Sequence, residues 1–289
     1  TLMWPASNPN NSPITAYNLI IRECQSNATK LALTSDNSVD LTVHGLSPYT
    51  CYTATVSSIN SVGHSNWSEI SNQFFTAEEA PAEAPSDFKL VKVSSSEIEL
   101  EWRSPPMELQ NGNLNGFVIR YGTDPQDMKS LTVEDPQKSR AVLQGLEPFT
   151  LYTVSIQAKN RAGTGPQTAM DVMTEEGVPL KPRITHISNT KATSFYVNWE
   201  PPKEIKGKLI SYELQWIHNG DVKSRFIAGH LIDTMTAFIS DLSPYTGYKV
   251  QVAAVTKGGT GEFSDQYPVV TDVAAPGPPR NLNVTELGS

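Results

Sequence analysis

Leu46-Ser47-Pro48-Tyr49-Thr50-Cys51-Tyr52 returns as Leu146-Glu147-Pro148-Phe149-Thr150-Leu151-Tyr152 and again as Leu242-Ser243-Pro244-Tyr245-Thr246-Gly247-Tyr248. The shared frame is Leu, any residue, Pro, an aromatic, Thr, any residue, Tyr. From each closing tyrosine, apolar residues occupy every second position: Tyr52, Ala54, Val56; Tyr152, Val154, Ile156; Tyr248, Val250, Val252. That is the period of a β-strand with one buried face. Leucine therefore ends one strand, proline turns the chain, and tyrosine opens the next strand. Three copies in the same register define an internal repeat.

A second ruler lies upstream of each corner. Trp4, Trp102 and Trp199 are 98 and 97 residues apart. Each ends an alternating stretch, and prolines follow at Pro5, Pro105-Pro106 and Pro201-Pro202. Proline donates no ladder hydrogen bond, so those strands stop there. Between the two rulers come Tyr17-x-Leu19-x-Ile21, Phe117-x-Ile119-x-Tyr121 and Tyr212-x-Leu214-x-Trp216. After the tyrosine strands come Asn60-Ser61-Val62-Gly63, Asn160-Arg161-Ala162-Gly163 and Thr256-Lys257-Gly258-Gly259, where glycine fits a hairpin needing positive φ. No long amphipathic helix is present.

On the tryptophan, the prolines, the corner frame and the glycine turns, the chain resembles tandem fibronectin type III domains over nearly its whole length. The resemblance implies an all-β fold: three seven-stranded immunoglobulin-like sandwiches in an elongated array. It places Trp4, Trp102 and Trp199, with Tyr52, Tyr152 and Tyr248, in the three cores, each tyrosine hydroxyl bonded back to the upstream backbone. The boundaries read 1–76 for a first unit lacking its opening strand, 77–84 for an acidic, proline-punctuated linker, 85–176 and 177–273 for the next units, and 274–289 for the start of a fourth or a tail. The first linker reads as extended and semi-stiff, with more freedom than the shorter second joint. A strand is missing at one end and spare at the other, so residues 276–287 are a candidate for self-association by strand addition.

The formal charge of −8 argues against nucleic acid or an anionic membrane surface as partner. Residues 179–271 carry ten Lys/Arg against eight Asp/Glu, about +2, a solvated face or a mild attraction for an acidic partner. No run of about 18 apolar residues spans a membrane. The chain reads as a fragment, attached to a membrane outside it. Sequons at Asn10, Asn27, Asn66 and Asn283 mark glycosylation candidates and an extracellular setting. In the resembled family the strands bearing Cys24 and Cys51 are neighbours, so the two sulfurs are placed to form a disulfide on one outer face; the alternative is two free thiols.

Catalytic motifs are absent: no H-E-x-x-H, G-x-S-x-G, phosphate-binding glycine loop or C-x-x-C. His44, His64, His186, His218 and His230 do not cluster in sequence, and Glu78, Glu79 and Glu83 lack the spaced order of a calcium loop. No metal or cofactor is expected. No late loop carries the Arg-Gly-Asp of integrin-binding repeats, and Asn219-Gly220-Asp221 reads as a hairpin turn. Trp67-Ser68-Glu69-Ile70-Ser71 holds only the first half of the W-S-x-W-S of cytokine receptors. Trp67 is the most exposed-looking aromatic, read either as surface cover beside the Asn66 glycan or as the one candidate contact residue. Few cysteines, several sequons and acidic linkers resemble the arrays of receptor-type tyrosine phosphatases. The expected role is a binding and spacer array with an unidentified extracellular protein partner, not an enzyme; a matrix-glycoprotein spacer is the alternative. Burial of one such tryptophan contributes at most about 4–6 kcal/mol. Trp199→Ala is therefore expected to unfold the third unit, so that calorimetry shows two cooperative melts; three intact transitions would contradict the assignment.

Overall fold

The computed structural model describes residues 1–229 and 235–278. The first repeat contains β1 (Leu2–Met3), β2 (Ile14–Glu23), β3 (Thr29–Leu33), β4 (Asp40–Leu41), β5 (Cys51–Asn60) and β6 (Phe74–Phe75). Its sheets run β1-β4 and β3-β2-β5-β6. The second contains β7 (Ser86–Val93), β8 (Glu97–Arg103), β9 (Gly116–Gly122), β10 (Lys129–Val133), β11 (Arg140–Gln144), β12 (Leu151–Lys159) and β13 (Thr164–Met173). Its sheets run β11-β8-β7 and β10-β9-β12-β13. The third contains β14 (Arg183–Lys191), β15 (Ser194–Glu200), β16 (Ser211–His218), β17 (Asp221–Ala228), β18 (Thr236–Ile239), β19 (Gly247–Thr256), β20 (Gly259–Thr260) and β21 (Tyr267–Val270). There the sheets run β14-β15-β18 and β17-β16-β19-β20, with β21 also on β19.

Period-two burial follows the sequence alternation. Tyr17, Leu19 and Ile21 are buried in the first repeat, and Tyr212, Leu214, Val250 and Val252 in the third. Trp102 and Trp199 are 1% and 3% exposed, but Trp4 is only half-buried. The reason is local: β1 and β4 contribute two residues each, too little sheet to cover an indole completely. Each indole meets the first aromatic of the next strand edge-on. Trp4–Tyr17, Trp102–Phe117 and Trp199–Tyr212 have centroid distances of 5.3, 5.2 and 5.3 Å, at 63°, 64° and 64°. Among the described residues the indole N–H groups of Trp4 and Trp102 have no hydrogen-bond acceptor, so these aromatic contacts are what those indoles gain in place of hydrogen bonds.

The corner has one geometry in all three repeats. The hydroxyls of Tyr52, Tyr152 and Tyr248 accept from the backbone N–H of Ser47, Glu147 and Ser243 at 2.9, 2.9 and 3.0 Å. The aromatic of the frame takes a left-handed backbone: Tyr49 φ 47°, Phe149 φ 49°, Tyr245 φ 48°. An aromatic pays strain there, offset by N–H bonds to Ala77, Glu175 and Asp272 carbonyls at 3.0 Å each. A threonine outside the repeated frame completes the lock. Thr76, Thr174 and Thr271 each donate from Oγ1 to the carbonyl of Ser47, Glu147 or Ser243 at 2.7 Å, and accept from the N–H of Thr50, Thr150 or Thr246 at 2.9 Å.

Cys24 and Cys51 form a disulfide with Cα atoms 5.5 Å apart, tying the end of β2 to the start of β5. Asn219 (φ 49°) and Gly220 (φ 89°) make the tight β16–β17 turn. The first linker, read as extended and semi-stiff, is bonded to the repeat that follows it. Glu79 N–H donates to the Asn111 carbonyl, as Gly177 N–H does to Lys206 across the second joint; side-chain polarity says nothing about where backbone donors go. Of the strand-addition candidate 276–287, all but 276–278 lies outside the described residues, as do His230 and Asn283.

Tyr248→Phe leaves the Ser243 N–H without its acceptor, and is expected to lower third-repeat stability by about 1–3 kcal/mol in chemical denaturation, with the other repeats unchanged. Replacing Cys24 and Cys51 by serine opens a loop of sequence separation 27. The expected cost to the first repeat alone is about 3–4 kcal/mol, and a reductant should reproduce it in the parent chain.

Candidate interaction surface

Residues 65–71 run beside β5 without forming a regular strand. Ser65, Ser68 and Ser71 recur at a spacing of three, and each meets every second residue of β5. Their N–H groups donate to the carbonyls of Ser58, Val56 and Ala54 at 3.0, 2.9 and 2.9 Å. Their hydroxyls accept from the N–H groups of the same three residues at 3.0, 3.1 and 2.9 Å. Each hydroxyl then donates at 2.8 Å to the carbonyl of the residue that follows it, Asn66, Glu69 or Asn72. Serine thus serves both polar groups of the strand edge, and the segment advances three residues per step. The third repeat keeps a single such rung, at Ser264 on Val252. In the second repeat a continuous strand, β13, follows the glycine turn instead.

With every third residue committed to the strand, Trp67 and Ile70 fall on one ridge. They line a cleft of about 240 Å³ with Ile20 and Arg22 of β2 and Thr53, Ala54 and Thr55 of β5. The register sets Ile20 opposite Leu31 and Thr55, and Asn18 opposite Leu33. Leu31, Leu33, Trp67 and Ile70 are 74%, 58%, 46% and 66% exposed on this sheet. The Arg22 guanidinium has no carboxylate partner among the described residues. An exposed indole and aliphatic side chains beside an unpaired guanidinium are the residue types that anchor protein interfaces.

The other predicted site residues lie around this face or apart from it. Asn66 is exposed on the ridge next to Trp67, while the Ser68 hydroxyl of its sequon is held in the ladder. Asn10 and Asn27 are exposed at positive φ of 44° and 57°. A larger open cleft of about 810 Å³ lies on the third repeat, by His218, Tyr248, Lys249 and Gln266. Its histidine is already engaged, with Nδ1 at 2.9 Å from the Gly247 carbonyl and Nε2 at 3.0 Å from Asn219 Nδ2. Among the described residues, no group of three or more His, Cys, Asp or Glu side chains is placed to hold a metal ion, and no helix is long and apolar enough to cross a membrane. The serine ladder escaped sequence reading because spacing three matches neither a strand nor a helix; the half-motif Trp67-Ser68-Glu69-Ile70-Ser71 was its one visible trace.

Comparison with known proteins agrees with this architecture. A receptor-type tyrosine-protein phosphatase of Aedes aegypti is 31% identical over 98% of this chain and 22% of its own length. The phosphatidylinositol phosphatase PTPRQ of Rattus norvegicus is 31% identical over 99% of the chain and 12% of its own length. The human cell adhesion molecule DSCAM is 30% identical over 98% and 15%. The chain therefore spans less than a quarter of these relatives. The profile of the fibronectin type III domain matches residues 1–74, 83–170 and 180–270. The chain belongs to the fibronectin type III family, as three tandem copies of its domain.

Proposed function

We propose that this chain is extracellular, part of the ectodomain of a cell-surface receptor or adhesion protein, and that it works as a protein-binding and spacer array. Its relatives include receptor-type phosphatases and an adhesion molecule. Its disulfide fits an oxidising compartment, and its sequons at Asn10, Asn27, Asn66 and Asn283 are the proposed glycan sites. Units 1–76, 85–176 and 177–273, with linker 77–84 and a further segment 274–289, are the proposed divisions. The observation that carries the binding half is the first-repeat face of Trp67, Ile70, Leu31 and Leu33 beside Arg22. An apolar face of this kind costs free energy in water and is kept where a partner covers it. The proposed partner is another extracellular protein presenting an apolar contact and a carboxylate for Arg22.

The experiment is a binding screen of the multimerised, glycosylated chain against purified ectodomains, followed by variants. Trp67→Ser and Arg22→Ala are expected to weaken a specific hit by about tenfold or more, while Val222→Ser on the exposed edge of the third repeat leaves it unchanged. A hit insensitive to both first-repeat substitutions would overturn this assignment of the face. With positive controls working, no hit at all would leave only the spacer role.

A further inference from the structure

At both joints the chain uses one six-residue frame: Thr76-Ala77-Glu78-Glu79-Ala80-Pro81 and Thr174-Glu175-Glu176-Gly177-Val178-Pro179. The threonine and the next carbonyl are bonded to the preceding corner, as described above. From the following glutamate onward, every bond goes to the next repeat. Glu79 and Ala82 donate from their N–H groups to the carbonyls of Asn111 and Leu109 at 3.0 and 2.8 Å. Gly177 and Leu180 donate to those of Lys206 and Glu204 at 2.8 and 3.0 Å. The Glu79 carbonyl accepts from Asn160 Nδ2 at 2.6 Å, and the Gly177 carbonyl from Thr256 Oγ1 at 2.7 Å. Glu78 Oε1 accepts from Asn113 N at 3.3 Å, and Glu176 Oε2 from Lys208 N at 3.0 Å and Lys257 N at 3.2 Å. No residue of the frame lies unbonded between the last tie to one repeat and the first tie to the next.

Four glycines keep the space this peptide fills. A Cβ on Gly112 would stand 2.8 Å from Glu78 Cγ, one on Gly207 2.6 Å from the Glu176 carboxylate, and one on Gly165 2.6 Å from the Pro81 carbonyl. On Gly261 it would collide with the Pro179 carbonyl. The first repeat supplies the internal contrast. Trp4 to Tyr17 and Trp199 to Tyr212 are both 13 residues, so Asn11 (φ 65°) matches Lys206 (φ 56°). Ser12 and Pro13 then match Gly207 and Lys208, and Ser65, two residues past Gly63, matches Gly165 and Gly261. Serine puts a Cβ where the carboxylate and the proline carbonyl would lie, and proline has no N–H to offer a carboxylate.

We infer that the loop-and-turn groove of the second and third repeats is a docking site for an extended Glu-x-x-Pro segment of the same chain, that Glu78 and Glu176 are its positioning residues, and that the first repeat is built to exclude such a segment. Four features define the site: the glutamate, the proline three residues later, a glycine after the positive-φ loop residue, and a glycine two residues past the turn. In the third copy of the frame, Thr271–Pro276, Val273 stands in the carboxylate's place, so the device is specific to the two joints. Docking fixes each linker on the repeat that follows it, which deepens the spacer half of the proposed function and is independent of which face binds.

The test is residue-resolved amide hydrogen exchange on the whole chain. In the parent, the amides of Glu79, Ala82, Gly177, Leu180, Lys208 and Lys257 are expected to be protected. Glu176→Ala should accelerate Lys208 and Lys257 by about tenfold, the worth of a charge-assisted bond, while the amides of β16 and β19 hold their rates. Glu176→Gln keeps an acceptor oxygen and should recover part of the protection. Gly112→Ser with Asn113→Pro, which gives the second repeat the residues of the first, should release Glu79 and Ala82 while the second joint is unaffected. If that pair unfolds the second repeat, the two Glu176 variants decide alone. Joint amides that exchange freely in the parent, or that ignore the loss of the Glu176 carboxylate, would overturn the inference.

Discussion

Everything in this chain hangs on a tyrosine hydroxyl that must find a partner inside a β-sandwich. The hydroxyls of Tyr52, Tyr152 and Tyr248 reach the N–H of Ser47, Glu147 and Ser243, the residue directly after the leucine of each corner frame. That reach demands a proline turn and an aromatic with a left-handed backbone, and both appear in every copy. Leaving the buried hydroxyl and its N–H unpaired would cost more than the bond itself contributes, so the corner is made whole or not at all. The threonine that closes it from the far side also opens the linker. The same polar lock that ends one repeat therefore fixes where the next begins.

Much of the fold was legible because it rests on periodicity. Tyr52, Tyr152 and Tyr248 declare strands by alternation, and Trp102 and Trp199 declare cores by recurrence. Trp4 obeys the same ruler yet is only half-buried, because the sheet beneath it is two residues deep on each strand. What the sequence hid is the polar machinery. Thr76, Thr174 and Thr271 are ordinary residues until the fold brings them over a corner. Asn160 and Thr256 do one job with different side chains, so no letter pattern links them. The pairing of Cys24 with Cys51 needed a distance to separate it from free thiols.

The candidate surface shows the same limit. Trp67 was visible as an exposed aromatic, but its neighbours Ile20, Leu31 and Leu33 come from strands that only register places beside it. A serine at every third position supports that surface, and its stiffness comes from bonding, since both polar groups of alternate β5 residues are held. The linkers follow a similar rule. Acidic, proline-punctuated composition implied an extended, semi-stiff linker, and what it could not show is which carbonyls of the next repeat take the linker's N–H groups. Across the chain, apolar pattern places the strands, and hydrogen bonds decide what the loops do.

The central functional claim is that recognition belongs to the ladder face of the first repeat. Hydroxyl-radical footprinting of the glycosylated chain, free and bound to a captured ectodomain, tests it most directly. The account predicts that Trp67, Ile70, Leu31 and Leu33 lose reactivity on binding while Val222 and Phe226 of the third repeat do not. Unchanged reactivity at Trp67 and Ile70, with protection elsewhere, would contradict it.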